Sequence, residues 1–156
     1  MKKAKKIILT TVLVFVIGFV VLAIIGSFMG EEKGCKVSFR KIYENYTDSP
    51  IKGQLMVKYV VNVVNSKEKC SFKELAEKSK EFLQKEIDKY INKRFPSSQY
   101  HTRPTLLYMY VYENEKLAKD IKMWIAMAEW GSDIGKSFSE QDENLYKMLM
   151  KENENQ

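Results

Sequence analysis

The stretch from residue 7 to residue 29 constrains this chain more than any other. Its 23 residues carry no charge and are mostly Ile, Val, Leu and Phe. As a helix the run is roughly 34 Å long at ~1.5 Å per residue, and the hydrocarbon core of a bilayer is about 30 Å thick. A helix apolar on every side over that length has nowhere to be buried in so small a protein. The segment reads as a transmembrane signal anchor. Lys2, Lys3, Lys5 and Lys6 precede it and Glu31 and Glu32 follow it, so the positive-inside rule places residues 1–6 in the cytoplasm and the C-terminal domain outside. The competing reading is a cleaved signal peptide, whose apolar region spans only about 7–15 residues. A cut after Gly26 or Ser27 would also set Ile24 or Ile25 where a small residue is required. A lipoprotein fits less well, because Cys35 stands beyond Glu31-Glu32-Lys33-Gly34. Gly26 and Gly30 form a G-x-x-x-G spacing, which reads either as a helix–helix contact in a homodimer or as a flexible exit from the bilayer.

The anchor changes how the charge is read. The net charge of +6 suggests nucleic acid until the four leading lysines are set aside; from Gly30 onward 22 basic residues face 20 acidic ones. Of the basic residues 23 are Lys and only three are Arg, at positions 40, 94 and 103. Arg is the better bidentate partner for phosphate and base edges. The mixed charge is that of a solvated surface, and no nucleic-acid partner is expected.

After a juxtamembrane linker, 30–35, residues 36–150 have the size of one domain, with 151–156 expected as a disordered tail. Residues 36–46 alternate Val37, Phe39 and Tyr43 against polar neighbours, the period of a half-buried strand. Residues 47–53 are a turn by composition. Residues 54–64 are apolar on both faces and predict a central strand. Ser71 and Glu74 have capping-box spacing. The apolar stripe Phe72, Leu75, Ala76, Phe82, Leu83, Ile87, Tyr90, Ile91 and Phe95 then predicts a helix ended by Pro96. Residues 105–112 read as a third strand. A second helix is expected from Asn114 to Gly131 on the face Leu117, Ala118, Ile121, Trp124, Ile125 and Ala128, with a short last helix after Ser139 and Asp142. The resulting fold class is α+β: a transmembrane helix followed by a two-layer β-β-α-β-α domain, the third strand parallel to the second. One sheet face stays uncovered by helices, and Tyr108, Tyr110 and Tyr112 are its candidate interaction surface; the plainer reading is tyrosines half buried with hydroxyls in water.

Residues with chemistry are few. His101 is the single histidine and Cys35 and Cys70 are the two cysteines. A nucleophile and base drawn from Cys35 or Cys70 with His101 would make a small envelope enzyme of hydrolase or thiol–disulfide type. On the outer side of the membrane the two cysteines can also bond to each other, since the start of one hairpin strand lies beside the end of the next. Free thiols and a bond between two copies through Cys35 are the other states. Two Cys and one His lack the four-ligand spacing of a zinc site, and no metal or cofactor is expected. Gly131-Ser-Asp-Ile-Gly135-Lys136-Ser137 has three residues between its glycines where a phosphate loop needs four. Asn45-Tyr46-Thr47 is a glycosylation sequon, meaningful only in a eukaryotic secretory lumen. No carboxylate pair sits in an apolar context that would tune an acid and a base. The reading is therefore a single-pass, bilayer-anchored protein whose extracytoplasmic domain is a non-catalytic module for an envelope or membrane protein, with the small enzyme and a structural subunit oligomerising through its span as alternatives.

Overall fold

The computed structural model describes residues 35–64 and 70–154. The anchor 7–29, with Gly26 and Gly30, lies outside them. Among the described residues no helix is long and apolar enough to cross a membrane.

The domain is α+β, with two helices and a five-stranded mixed sheet. Its elements are β1 (Val37–Asp48), β2 (Gly53–Val63), α1 (Phe72–Ile91), β3 (Leu106–Tyr112), a 3-10 turn (Leu117–Lys119), β4 (Ala126–Gly131), β5 (Gly135–Glu140) and α2 (Glu143–Glu154). The strands lie in chain order, β1-β2-β3-β4-β5. All neighbours are antiparallel except β2 and β3, which run parallel from Gln54 beside Leu106 to Val60 beside Tyr112. A parallel pair needs a crossover, and α1 supplies it.

Sequence periodicity explains most of this. β2 is apolar on both faces because it has a strand on each side and cover above and below over much of its length: Leu55, Val57, Tyr59, Val60 and Val61 are all buried. α1 begins as the capping box predicts. Ser71 Oγ accepts from the Glu74 N–H at 3.2 Å, and Glu74 accepts from the Ser71 N–H at 2.8 Å. The helix lays Ala76, Leu83, Ile87 and Tyr90 on the sheet against Leu55, Val57, Leu107, Met109 and Val111. Ion pairs Lys80–Glu140 and Lys136–Asp88 link it to β5.

Three expectations are corrected. The helix ends at Ile91, ahead of Pro96: Asn92 Nδ2 donates to the Asp88 carbonyl, and Phe95 turns away to stack on Tyr46 with ring centroids 4.0 Å apart. In β1 a bulge between Lys41 and Tyr43 shifts the alternation, so Tyr43 leaves the face of Val37 and Phe39 and is 43% exposed, while Glu44 takes its place. The largest correction concerns residues 114–131, expected as a helix. Only one 3-10 turn forms there, Leu117–Lys119, and Ala126–Gly131 is strand β4. Ala126, Met127, Ala128 and Glu129 favour helix by propensity, but pairing between the open edge of β3 and β5 outweighs a few tenths of a kcal/mol per residue. The sheet therefore has five strands where three were expected. The last helix does form and runs to Glu154.

Candidate functional site

The sheet register sorts every strand residue by face and by row. One face is packed by α1. Beyond the Ser38–Asn62 pair, the second face carries four rows, read from β1 across: Arg40, Val60 and Tyr112; Tyr43, Lys58, Tyr110, Met127 and Ser139; Asn45, Met56, Tyr108, Glu129 and Ser137; and Thr47, Gln54, Leu106, Gly131 and Gly135.

Residues 113–125 fold back over the first of these rows and part of the second. Lys58 Nζ donates to the Ala118 carbonyl at 2.7 Å, Arg40 pairs with Glu115, and Asn114 Oδ1 accepts from the Leu117 N–H at 3.0 Å. Leu117, Ala118 and Met123 are buried as a result. The three candidate tyrosines consequently divide. Tyr112 is 0% exposed and its hydroxyl has no hydrogen-bond partner among the described residues. Tyr110 is 7% exposed, and only Tyr108 is partly open. Burial raises the hydroxyl pKa of all three, and beside Tyr108 the Glu129 carboxylate adds to the shift. The open part of this face is thus the patch Tyr43, Met56, Tyr108, Met127 and Glu129, with the Lys58 ammonium 5.6 Å from the Tyr43 ring centroid.

A second feature occupies one end of the sheet, where the β1–β2 turn, the start of β3 and the β4–β5 turn converge. Thr105 ties them together: its N–H donates to the Gly53 carbonyl at 2.8 Å, and its own carbonyl accepts from the Ser132 N–H at 3.1 Å. Gly131-Ser-Asp-Ile-Gly135 is a hairpin turn, with the Ile134 N–H bonded to the Gly131 carbonyl and Gly135 at φ 74°. It follows a strand, as a phosphate loop would, yet runs into another strand instead of a helix. An open cleft of about 340 Å³ lies between the two turns, with Ile51 and Ile134 on its rims and Leu106 in its wall. The sequence signal for it was slight: a branched apolar residue in the middle of each polar turn, Pro50-Ile51-Lys52 and Asp133-Ile134-Gly135.

His101 is at this same end. Its backbone N–H and that of Tyr100 donate to Asp48 at 2.9 and 2.8 Å, and Tyr46 Oη donates to its carbonyl at 2.6 Å. These bonds fasten the 92–105 segment to the hairpin. They explain Gly53, where a Cβ would stand 2.2 Å from Tyr46 Oη and 2.8 Å from His101 Cβ. Cys35 and Cys70 lie at the other end, their sulfurs 1.98 Å apart, at disulfide distance. β2 separates the two ends by about 33 Å at ~3.3 Å per residue. The structure therefore does not bring His101 to either cysteine. Among the described residues no three His, Cys, Asp or Glu side chains gather as a metal site. Asn45 stands exposed on β1, its Nδ2 donating to Thr47 Oγ1 at 3.3 Å. Compared with protein-family models, characterised proteins and solved structures, the chain matches none.

Proposed function

We propose that this is a membrane-anchored, non-catalytic interaction module that meets a protein of the membrane or envelope through the open part of its second sheet face. The observation that carries the reading is the patch itself. Met56, Tyr108 and Met127 sit side by side on adjacent strands, each partly exposed, beside a Tyr43 that is 43% exposed. Tyrosine and methionine are enriched where proteins meet, because each brings a large contact area that adapts at low entropic cost. The Cys35–Cys70 pair supports placing the domain outside the cytoplasm, where disulfides persist. That placement agrees with a cytoplasmic N-terminus and a single span over residues 7–29.

The test is a photoreactive amino acid placed singly at Met56, Tyr108 or Lys85 in the full chain in intact cells. Lys85 is exposed on α1 and serves as the control. Discrete adducts to one protein from Met56 and Tyr108, absent from Lys85, are expected. Equal labelling from all three positions, or none from the sheet face, would overturn the reading.

A further inference from the structure

The turn end has a chemistry of its own, independent of the sheet-face reading. Ile51 and Ile134 are 90% and 67% exposed on two separate turns. Tyr100, on the third segment at this end, is 49% exposed and is held there by the bond from its N–H to Asp48. Around them stand Lys52, Arg94 and Arg103, all exposed. None of the three enters an ion pair among the described residues. Arg94 belongs to this end because the next residue, Phe95, donates its N–H to the Thr102 carbonyl at 2.8 Å. The neighbouring carboxylates are mostly engaged. Asp48 accepts two backbone N–H groups and Asp88 pairs with Lys136, which leaves Asp133, bonded by the Ser132 hydroxyl.

We propose that this end docks on an anionic lipid bilayer. Ile51 and Ile134 enter the boundary between headgroups and acyl chains, Tyr100 lies at headgroup depth, and Lys52, Arg94 and Arg103 meet the phosphates. Aliphatic tips with an aromatic and a ring of unpaired cations are what such a boundary selects, because each group finds its own dielectric there. The relief of the site argues the same way. Two isoleucines rising on either side of an open cleft need a shaped partner if that partner is a protein, whereas a fluid bilayer fills the relief unaided. The three prolines of the chain stand beside two of these segments, Pro50 next to Ile51 and Pro96 and Pro104 on either side of Tyr100. Their fixed φ lowers the entropy lost when the turns are immobilised on a surface.

The experiment holds the full chain in nanodiscs of phosphatidylcholine and floats them with vesicles. The vesicles are either pure phosphatidylcholine or phosphatidylcholine mixed with phosphatidylglycerol. Nanodiscs are expected to float with the anionic vesicles only, and less so as salt rises. Ile51→Ser and Ile134→Ser should each weaken docking about tenfold, and Lys52→Ser about fivefold. These side chains are exposed, so unchanged thermal unfolding of the variants separates lost docking from lost folding. No flotation with anionic vesicles, or flotation indifferent to both isoleucine changes, overturns the proposal. So does a photocrosslinker at Ile51 that captures a protein while the chain ignores every vesicle.

Discussion

Breaking the Cys35–Cys70 bond should cost this domain a large part of its stability, and the size of the loss follows from chain length. The two residues are 35 apart in sequence. Closing a loop of that length removes about 13 cal/mol/K from the unfolded ensemble, or about 4 kcal/mol at ~25 °C. A domain this small has a total of about 5–15 kcal/mol to lose. Cys35 is 5% exposed at the edge of the β1–β2 hairpin, so the reduced thiols stay packed and the native contacts change little. The loss is therefore expected to act through the unfolded state. Urea unfolding of the full chain in detergent micelles, oxidised and reduced, measures it. With an m-value of about 1.5 kcal/mol/M, the midpoint should fall by about 2.5 M while the far-ultraviolet spectrum of the folded state is unchanged. A fall equivalent to less than about 1 kcal/mol would refute the reasoning, since the bond would then restrain a loop already closed without it.

Other perturbations probe other layers of the fold. Leu83→Ala empties a site that is 0% exposed between α1 and the sheet, and a loss of about 2–5 kcal/mol in denaturant unfolding is expected. Gly135→Ala isolates backbone strain: at φ 74° an added Cβ meets nothing within 4 Å, so a loss of about 1–2 kcal/mol in the same assay should come from the left-handed conformation alone. The Glu74 carboxylate accepts hydrogen bonds from the Ser71 backbone N–H and hydroxyl, which hold its pKa below the ordinary value. A lowered folded pKa means that this contribution is complete above the unfolded pKa and is lost as pH falls through the folded one. The melting temperature of Glu74→Gln should accordingly depend less steeply on acidification than that of the parent chain.

How far the fold was legible depended on whether a local signal or a partner decided each element. α1 carries its own cap and an apolar stripe, and β2 carries branched side chains on both faces, so both could be read. β4 and β5 could not. Ala126–Gly131 has the composition of a helix, and Gly135–Glu140 has one large apolar residue, Phe138, among Lys, Ser and Glu. Their strand character comes from the edge of β3, which no window of sequence contains. The same missing element hid the fate of the tyrosines. With 114–131 expected as a helix, nothing remained to cover Tyr110 and Tyr112; as a strap leading into β4, residues 113–125 bury both, and the open patch falls instead on Met56, Tyr108 and Met127. The bulge that carries Tyr43 onto this face left no mark in the alternation. Of the features at the turn end, the turn at residues 47–53 was visible and the one between β4 and β5 was not, and exposure of Ile51 and Ile134 depends on how three distant segments meet.

The two ends of the sheet are joined by the paired strands β1 and β2, and this makes their independence testable. The disulfide closes the end at Val37 and Val63, while Ile51 and Ile134 rise at the end begun by Gly53. Sites about 33 Å apart that share no partner are expected to have additive effects, within about 0.5 kcal/mol. Cys35→Ala with Cys70→Ala should therefore lower stability without altering vesicle docking, and Ile51→Ser with Ile134→Ser should do the reverse. Combining the four changes in one chain completes a double-mutant cycle. Additivity in both readouts is expected if β2, buried along Leu55, Val57, Tyr59 and Val61, acts as a rigid spacer. Coupling well beyond about 0.5 kcal/mol in docking would mean that the strand transmits the state of the disulfide to the turns, and the description of the sheet as two separately working ends would fail.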